Sequence, residues 1–261
     1  MVSLALTTAA CNAQDVAPEP EANPDAGRWP ALNSDLTYVW SAEPGIDLLS
    51  APAVAVRAYF ESVMIAGESG DEKLLYPGFA SAVANEAETE PGSLQLWPDL
   101  RGAYGKERVG TMRDHVLRIT DKGTNTEVVV CHWTWGMATL LENGTYWSGS
   151  ENPGPDAGVD AMRFTLSPPS DADQQLPPQQ GPSKYPFDDV FGGWRVIGKL
   201  NEGQPLPNQE EYWPEFQQDS QACVAKAPES AERRMFLKGG EHPRSDFPTL
   251  PPYPGWPAES N

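Results

Sequence analysis

EVVVCHWTWGMATLL, residues 127–141, is the stretch that decides the fold. It is dense in β-branched and aromatic side chains, which fit a pleated, half-buried surface. It reads as one long strand. Period-two alternation places Val129, Cys131, Trp133, Trp135 and Met137 on one face. Asn143-Gly144 follows at once and predicts a type I′ hairpin turn, with Thr145 to Trp147 starting the return strand. Working outward, residues 109–120 form a strand that enters this one through the polar turn at 121–125. Residues 160–167 and 193–200 form two more strands, separated by a loop over 168–189 rich in Pro, Gln and Asp.

The sheet is preceded by helix signals. Ser50 serves as an N-cap and Pro52 sits in the first turn, where its missing N–H costs nothing. Val56, Tyr59, Phe60, Val63 and Met64 then recur at helical spacing, with Gly67 as the stop. These apolar residues are expected to pack against the face that carries Val129, Cys131, Trp133, Trp135 and Met137. A second helical segment is expected over 70–87, interrupted at Pro77-Gly78, and residues 31–49 read as a short strand or a lead-in. The order of elements predicts an α+β domain: N-terminal helices packed on a curved antiparallel sheet of four to six strands, with irregular Pro-rich ends. The domain spans 31–215, and an irregular C-terminal extension, 216–261, carries a helix around 227–237. Its end, FPTLPPYPGWPAESN, favours polyproline conformation. Two readings stay open there: a strap packed through Phe247, Tyr253 and Trp256, or a peptide offered to a partner.

A formal net charge of −19 argues against nucleic acid as a partner, because binding it relies on Lys and Arg neutralising phosphates. The same charge argues against adsorption to anionic lipid, so membrane attachment would need a covalent anchor. No apolar run approaches the roughly 20 residues of a spanning helix. The chain begins MVSLALTTAAC, and this start, residues 1–11, resembles a bacterial lipobox, with Thr8 where that signal prefers Leu. The resemblance implies an exported protein lipidated on Cys11 and anchored on the outer face of the cell membrane. Residues 12–30, NAQDVAPEPEANPDAGRWP, are too polar and Pro-rich to bury a core and read as a disordered tether.

With Cys11 lipidated, Cys131 and Cys223 remain, and an exported chain can pair them. Closing a loop of that length would stabilise the fold by roughly 4–5 kcal/mol on the chain-entropy account. The alternative makes Cys131 a small core residue and Cys223 a free thiol. No metal is expected, since Cys131-His132 lacks a second Cys/His pair at ligand spacing.

The helix at 51–66 (APAVAVRAYFESVMIA), the strand through Cys131-His-Trp-Thr-Trp135 and the closing GGWRVIG at 192–198 resemble the nuclear transport factor 2-like fold. This is the cone-shaped domain shared by ketosteroid isomerase and many small secreted actinobacterial proteins. Together with the lipobox and the acidic tether, the chain looks like an actinobacterial surface lipoprotein. The resemblance implies a cone that holds a cavity or is filled.

The sheet aromatics Trp133, Trp135, Tyr146, Trp147 and Trp194 either line an apolar pocket or pack as core, and Tyr59, Trp133, Trp135 and Tyr146 are the candidate ligand-binding residues. Asp114 and His115, with Tyr59 and Tyr146, are the groups that could converge as catalytic residues. His132 alternates against the tryptophans and is expected to face away from the cone, and His242 is expected to face solvent. No phosphate loop, dinucleotide fingerprint or nucleophile elbow occurs, so no cofactor is assigned and no catalytic residue is named. Three functions compete: a non-catalytic binding or interaction module with a protein or apolar small-molecule partner, a small isomerase or hydratase, and an accessory subunit of an envelope complex.

Overall fold

The computed structural model describes residues 27–102, 105–149, 153–170, 176–203 and 206–259. Cys11, the lipobox and most of the tether lie outside the described residues. Within them no helix is long and apolar enough to cross a membrane.

The fold is α+β, built on a large sheet that is antiparallel except at one pair. Its strands are β1 (Asp35–Ala42), β2 (Arg108–Asp121), β3 (Thr126–Trp133), β4 (Met137–Leu140), β5 (Tyr146–Trp147), β6 (Val159–Ser167), β7 (Arg195–Asn201) and β8 (Glu241–His242). The order is β7-β6-β3-β2-β4-β5-β8, with β1 on the free edge of β2. Eight strands replace the expected four to six. One of the additions is β1, which runs parallel to β2, Asp35 opposite Val109 and Ala42 opposite Val116. The connection from β1 to β2 carries α1 (Ala53–Ser69), and a parallel pair needs such a crossover.

The expected long strand over 127–141 is broken. β3 and β4 lie end to end along one edge of β2, and Thr134 to Gly136 bulge between them. Two glycines explain the break. A Cβ on Gly110 would lie 2.1 Å from the Gly136 carbonyl oxygen, and one on Gly136 would lie 2.6 Å from that of Thr111. Gly110 also sits at φ +99°, a conformation L side chains rarely adopt. Gly110→Ala should therefore destabilise the domain by more than about 1 kcal/mol. A thermal melt checks this, and an unchanged midpoint would contradict the tight β2–β4 junction.

The bulge also shifts the phase of alternation. Val129, Cys131 and Trp133 share one buried cluster with Trp135 and Ala138, whereas Met137 packs with the opposite one. The layer that covers each face is the reverse of the expectation. Helix α1 packs on Val128 and Val130, and its Phe60 ring lies 4.9 Å from His132. The tryptophan face is covered from the C-terminal side, by Trp213, by Cys223 on α4 (Phe216–Lys226), by Leu237 on α5 (Ala231–Lys238) and by Phe247. The extension 216–261 is thus a structural layer and not irregular.

Cys131 and Cys223 form a disulfide, Cα–Cα 5.1 Å, that staples α4 to β3. The C-terminal segment runs as a strap, with Phe247 and Trp256 buried and only the Tyr253 ring exposed. The tether does not end at residue 30: Trp29 packs edge-on against Tyr38 and its Nε1 bonds the Asn33 carbonyl.

Smaller differences have local causes. Helix α1 passes Gly67 and ends at Gly70, whose φ of +64° makes it the left-handed cap. Its N-terminus begins after Pro52, and no side chain caps it; Ser50 contributes only its carbonyl, to Val54 N–H. The segment 70–87 holds only a 3₁₀ turn at Glu72–Leu74 and the single-turn α2 (Phe79–Ala82). At the β4–β5 hairpin only Gly144 has positive φ, so the turn is not type I′, which needs it at both central residues. Asn143 Oδ1 holds the loop by accepting Thr145 N–H at 3.1 Å. A further single turn, α3 (Gln209–Tyr212), places Trp213 in the core.

Candidate functional site

The buried residues of α1 are apolar except for Ser62 and for two charged residues one turn apart. Arg57 and Glu61 are both buried. Burying charge is costly unless it is well partnered, and both are. Arg57 donates from Nη1 to the carbonyls of Leu48 (2.8 Å) and Gln179 (3.3 Å), and from Nη2 to that of Gly255 (2.9 Å). It thereby ties together the loop before α1, the loop before β7 and the strap. Burial lowers its pKa to about 10, so it stays charged at neutral pH. Gln179 N–H completes the tie by donating to the Leu49 carbonyl at 2.8 Å.

The two loops that Arg57 joins form the walls of an open groove of about 340 Å³. Its apolar lining comes from Leu49, Ala51 and Val54 around the start of α1, from Phe191 and Trp194 before β7, and from Pro168, Leu176 and Pro177 of the loop after β6. Ser50 and Gln179 are its polar side chains. Among the described residues, no carboxylate lines this groove. Size, apolar walls and a few polar groups are the usual make-up of a small-molecule site.

Glu61 faces a different set. Its Oε1 accepts Trp40 Nε1 at 2.7 Å, and its Oε2 accepts Trp256 Nε1 at 2.7 Å and the Tyr76 hydroxyl at 3.0 Å. Burial pushes its pKa up to about 7, against the pull of Arg57 and of these three donors.

No family model, no curated protein and no solved structure matches the chain.

The four residues proposed to bind ligand do not meet. Tyr59 lies on the α1 side, its hydroxyl donating to the Leu96 carbonyl at 2.8 Å and its ring stacked on Phe79. Trp133 and Trp135 lie on the opposite face of the sheet, Trp133 Nε1 donating to the Cys223 carbonyl at 3.3 Å. Tyr146 packs half-buried beside that second cluster. None of the four lines the groove.

The histidines depart from expectation. His132 faces α1 and is buried, its Nδ1 2.8 Å from Asp114 Oδ1. Burial raises the Asp114 carboxyl above its ordinary value, and His132 is raised too, because the adjacent carboxylate outweighs the burial that would lower it. Yet Asp114 and His132 line none of the four described cavities, because Phe60 and its neighbours fill the space above them. His115 sits on the other face, between Ser41 Oγ (2.9 Å) and Glu43 Oε1 (3.0 Å), with its ring stacked on Trp133. Asp114 and His115 therefore point to opposite sides. His242 is buried rather than solvent-facing, its Nε2 2.8 Å from the Gly239 carbonyl.

The groove was missed because its walls are loops. Its sequence signals were Trp194, one of the sheet aromatics, which does line it, and Arg57 with Glu61 inside a largely apolar helical face.

Proposed function

We propose that the chain is a surface lipoprotein, anchored through Cys11 in the cell membrane, whose domain works as a non-catalytic module binding an apolar small molecule in the groove beside α1. The observation that supports the binding reading is the groove: about 340 Å³, largely apolar-walled, without a lining carboxylate among the described residues, and with its two loops tied together by a buried arginine. The anchor rests on the lipobox-like start and the acidic, proline-rich segment behind it. The nuclear transport factor 2-like resemblance fits a helix lying across a sheet. It adds no catalytic assignment, since Asp114 and His132 are packed over by side chains.

Two measurements test the reading. The probe 1-anilinonaphthalene-8-sulfonate should bind the folded protein saturably, with enhanced fluorescence, and Ala51→Trp should abolish this by filling the groove mouth. Binding unaffected by Ala51→Trp would remove the groove from consideration. For the anchor, Cys11→Ala expressed in an exporting bacterium should move the protein from the membrane fraction to the soluble one. Retention in the membrane would refute lipidation at Cys11.

A further inference from the structure

The parallel register of β1 and β2 brings three polar side chains into line. Ser41 lies directly opposite His115, and Glu43 follows two residues later with its N–H on the Val116 carbonyl at 3.0 Å. Residues two apart on an extended chain point the same way, so Ser41 and Glu43 reach the same ring from the same edge. Ser41 Oγ is 2.9 Å from His115 Nδ1, and Glu43 Oε1 is 3.0 Å from Nε2. Lys226 on α4, 2.6 Å away, and His115 hold the Glu43 carboxyl below its ordinary value, so it is ionised at neutral pH. A carboxylate only accepts. The neutral ring therefore carries its proton on Nε2 and leaves Nδ1 to accept from the Ser41 hydroxyl. The other acceptor near that hydroxyl, the Asp114 carbonyl, is farther off at 3.4 Å.

The imidazole is fixed while the hydroxyl is open. His115 is stacked on Trp133, ring centroids 5.6 Å apart and planes 15° from parallel, and is only 8% exposed. Ser41 is exposed. A hydroxyl on one imidazole nitrogen, with a carboxylate on the other, is the arrangement that activates a serine as a nucleophile. The ring is turned round relative to the serine-protease arrangement, with serine on Nδ1. Proton transfer needs only that one nitrogen accept while the proton of the other is held. The other two histidines are bonded differently: His132 to the buried Asp114, and His242 to the Gly239 carbonyl and Asp246.

Ser41 and His115 line none of the four described cavities. A group that reaches Ser41 has to arrive on a donor presented from outside, which suits an acceptor of a transferred group.

We propose that Ser41 is an activated nucleophile, and that it is the position at which this chain accepts an acyl group from a thioester or another activated ester. The hydroxyl oxygen adds to the carbonyl carbon of the donor, its proton passes to His115 Nδ1, and the imidazolium so formed is stabilised by Glu43. The carbon–sulfur or carbon–oxygen bond of the donor then breaks. His115 returns the proton to the leaving thiol or alcohol, and the new ester stays on Ser41 with no oxidant or reductant involved. This site is separate from the groove and does not depend on it.

The test uses p-nitrophenyl acetate as the donor. Brief exposure of the intact chain, followed by peptide mapping, should place an acetyl group on Ser41 well ahead of the exposed Ser81. His115→Ala should slow acetylation of Ser41 by roughly a hundredfold, the lower end of what a positioned base contributes, and added imidazole should restore part of the rate. Glu43→Gln should slow it too, and Glu43→Asp should recover part of that loss. Acetylation of Ser41 no faster than that of Ser81 would overturn the proposal, as would a rate that removing the imidazole leaves unchanged. Should His115→Ala fail to fold, the comparison of Ser41 with Ser81 in the unaltered chain decides alone.

Discussion

Replacing both cysteines, Cys131→Ala with Cys223→Ala, is expected to lower the free energy of unfolding by roughly 2–5 kcal/mol, the usual cost of losing a native disulfide. The bond closes a loop of 92 residues and is fully buried at both ends. Its loss frees the denatured chain and also leaves a gap between β3 and α4. The loosening should be local. Helix α4 carries Asp219, whose carboxylate accepts from Arg118 Nη1 at 2.6 Å and from Trp213 Nε1 at 2.8 Å. With α4 unstapled, amides in 216–226 should lose protection before those of α1. Urea denaturation gives the magnitude and hydrogen exchange gives the place. A loss below about 0.5 kcal/mol, no more than an ordinary surface substitution gives, would mean that packing around Trp213 and Trp133 holds the C-terminal layer unaided. Reductant alone should act slowly on the folded protein, since neither sulfur is accessible.

The disulfide also marks how far the sequence could be read. Pairing Cys131 with Cys223 needed only a count of cysteines once Cys11 was set aside. Strand positions needed only period-two patterns, and β2, β6 and β7 lie within two residues of the expected ends. Alternation says which side chains share a face but not which layer covers it. Trp133 and Trp135 were assigned to α1 because α1 was the only convincing helix. In fact α4 has weak amphipathicity, as its sequence FQQDSQACVAK suggests, and is held by one disulfide and one buried aspartate. Neither is a periodic signal. A short strand was one of the two readings of 31–49, but the parallel pairing of β1 was hidden for a similar reason, since its partner β2 lies more than sixty residues away. Register between distant strands follows from packing. The groove was least legible, because its walls are loops joined by arginine–carbonyl bonds that only the folded chain brings within reach.

The second large effect is a dependence on pH that runs against the acidic character of the chain. Glu61 has a folded pKa of about 7 against an ordinary value of 4.5, because burial penalises its charged form. A carboxyl raised on folding contributes stability that is complete below the unfolded pKa and is lost as pH rises through the folded one. The window is therefore about pH 4.5 to 7, and a shift of that size corresponds to about 3 kcal/mol. Glu68 is also buried and raised to about 7, despite its ion pair with Arg108, so it adds to the same slope. Asp114 and His132 are both raised and act in the same direction. Against them stand carboxylates lowered by partners, such as Asp35 beside Arg244 and Asp47 at Leu49 N–H. Those cost stability only when pH falls far enough to protonate them. The protein should be most stable near pH 5 and weaken toward pH 8. The local geometry accommodates a protonated Glu61. Its O–H can donate to the Tyr76 oxygen once Tyr76 turns its own hydroxyl proton to the Lys184 carbonyl, 3.2 Å away. Glu61→Gln should flatten the slope between pH 5 and 8 while keeping an acceptor for one tryptophan, and Glu68→Gln should flatten it separately. Chemical denaturation across that range measures both. A profile that rises from pH 5 to 8, or one that Glu61→Gln leaves untouched, would show that the carboxylate is ionised in the folded protein. Arg57 and the three donors would then offset its burial in full.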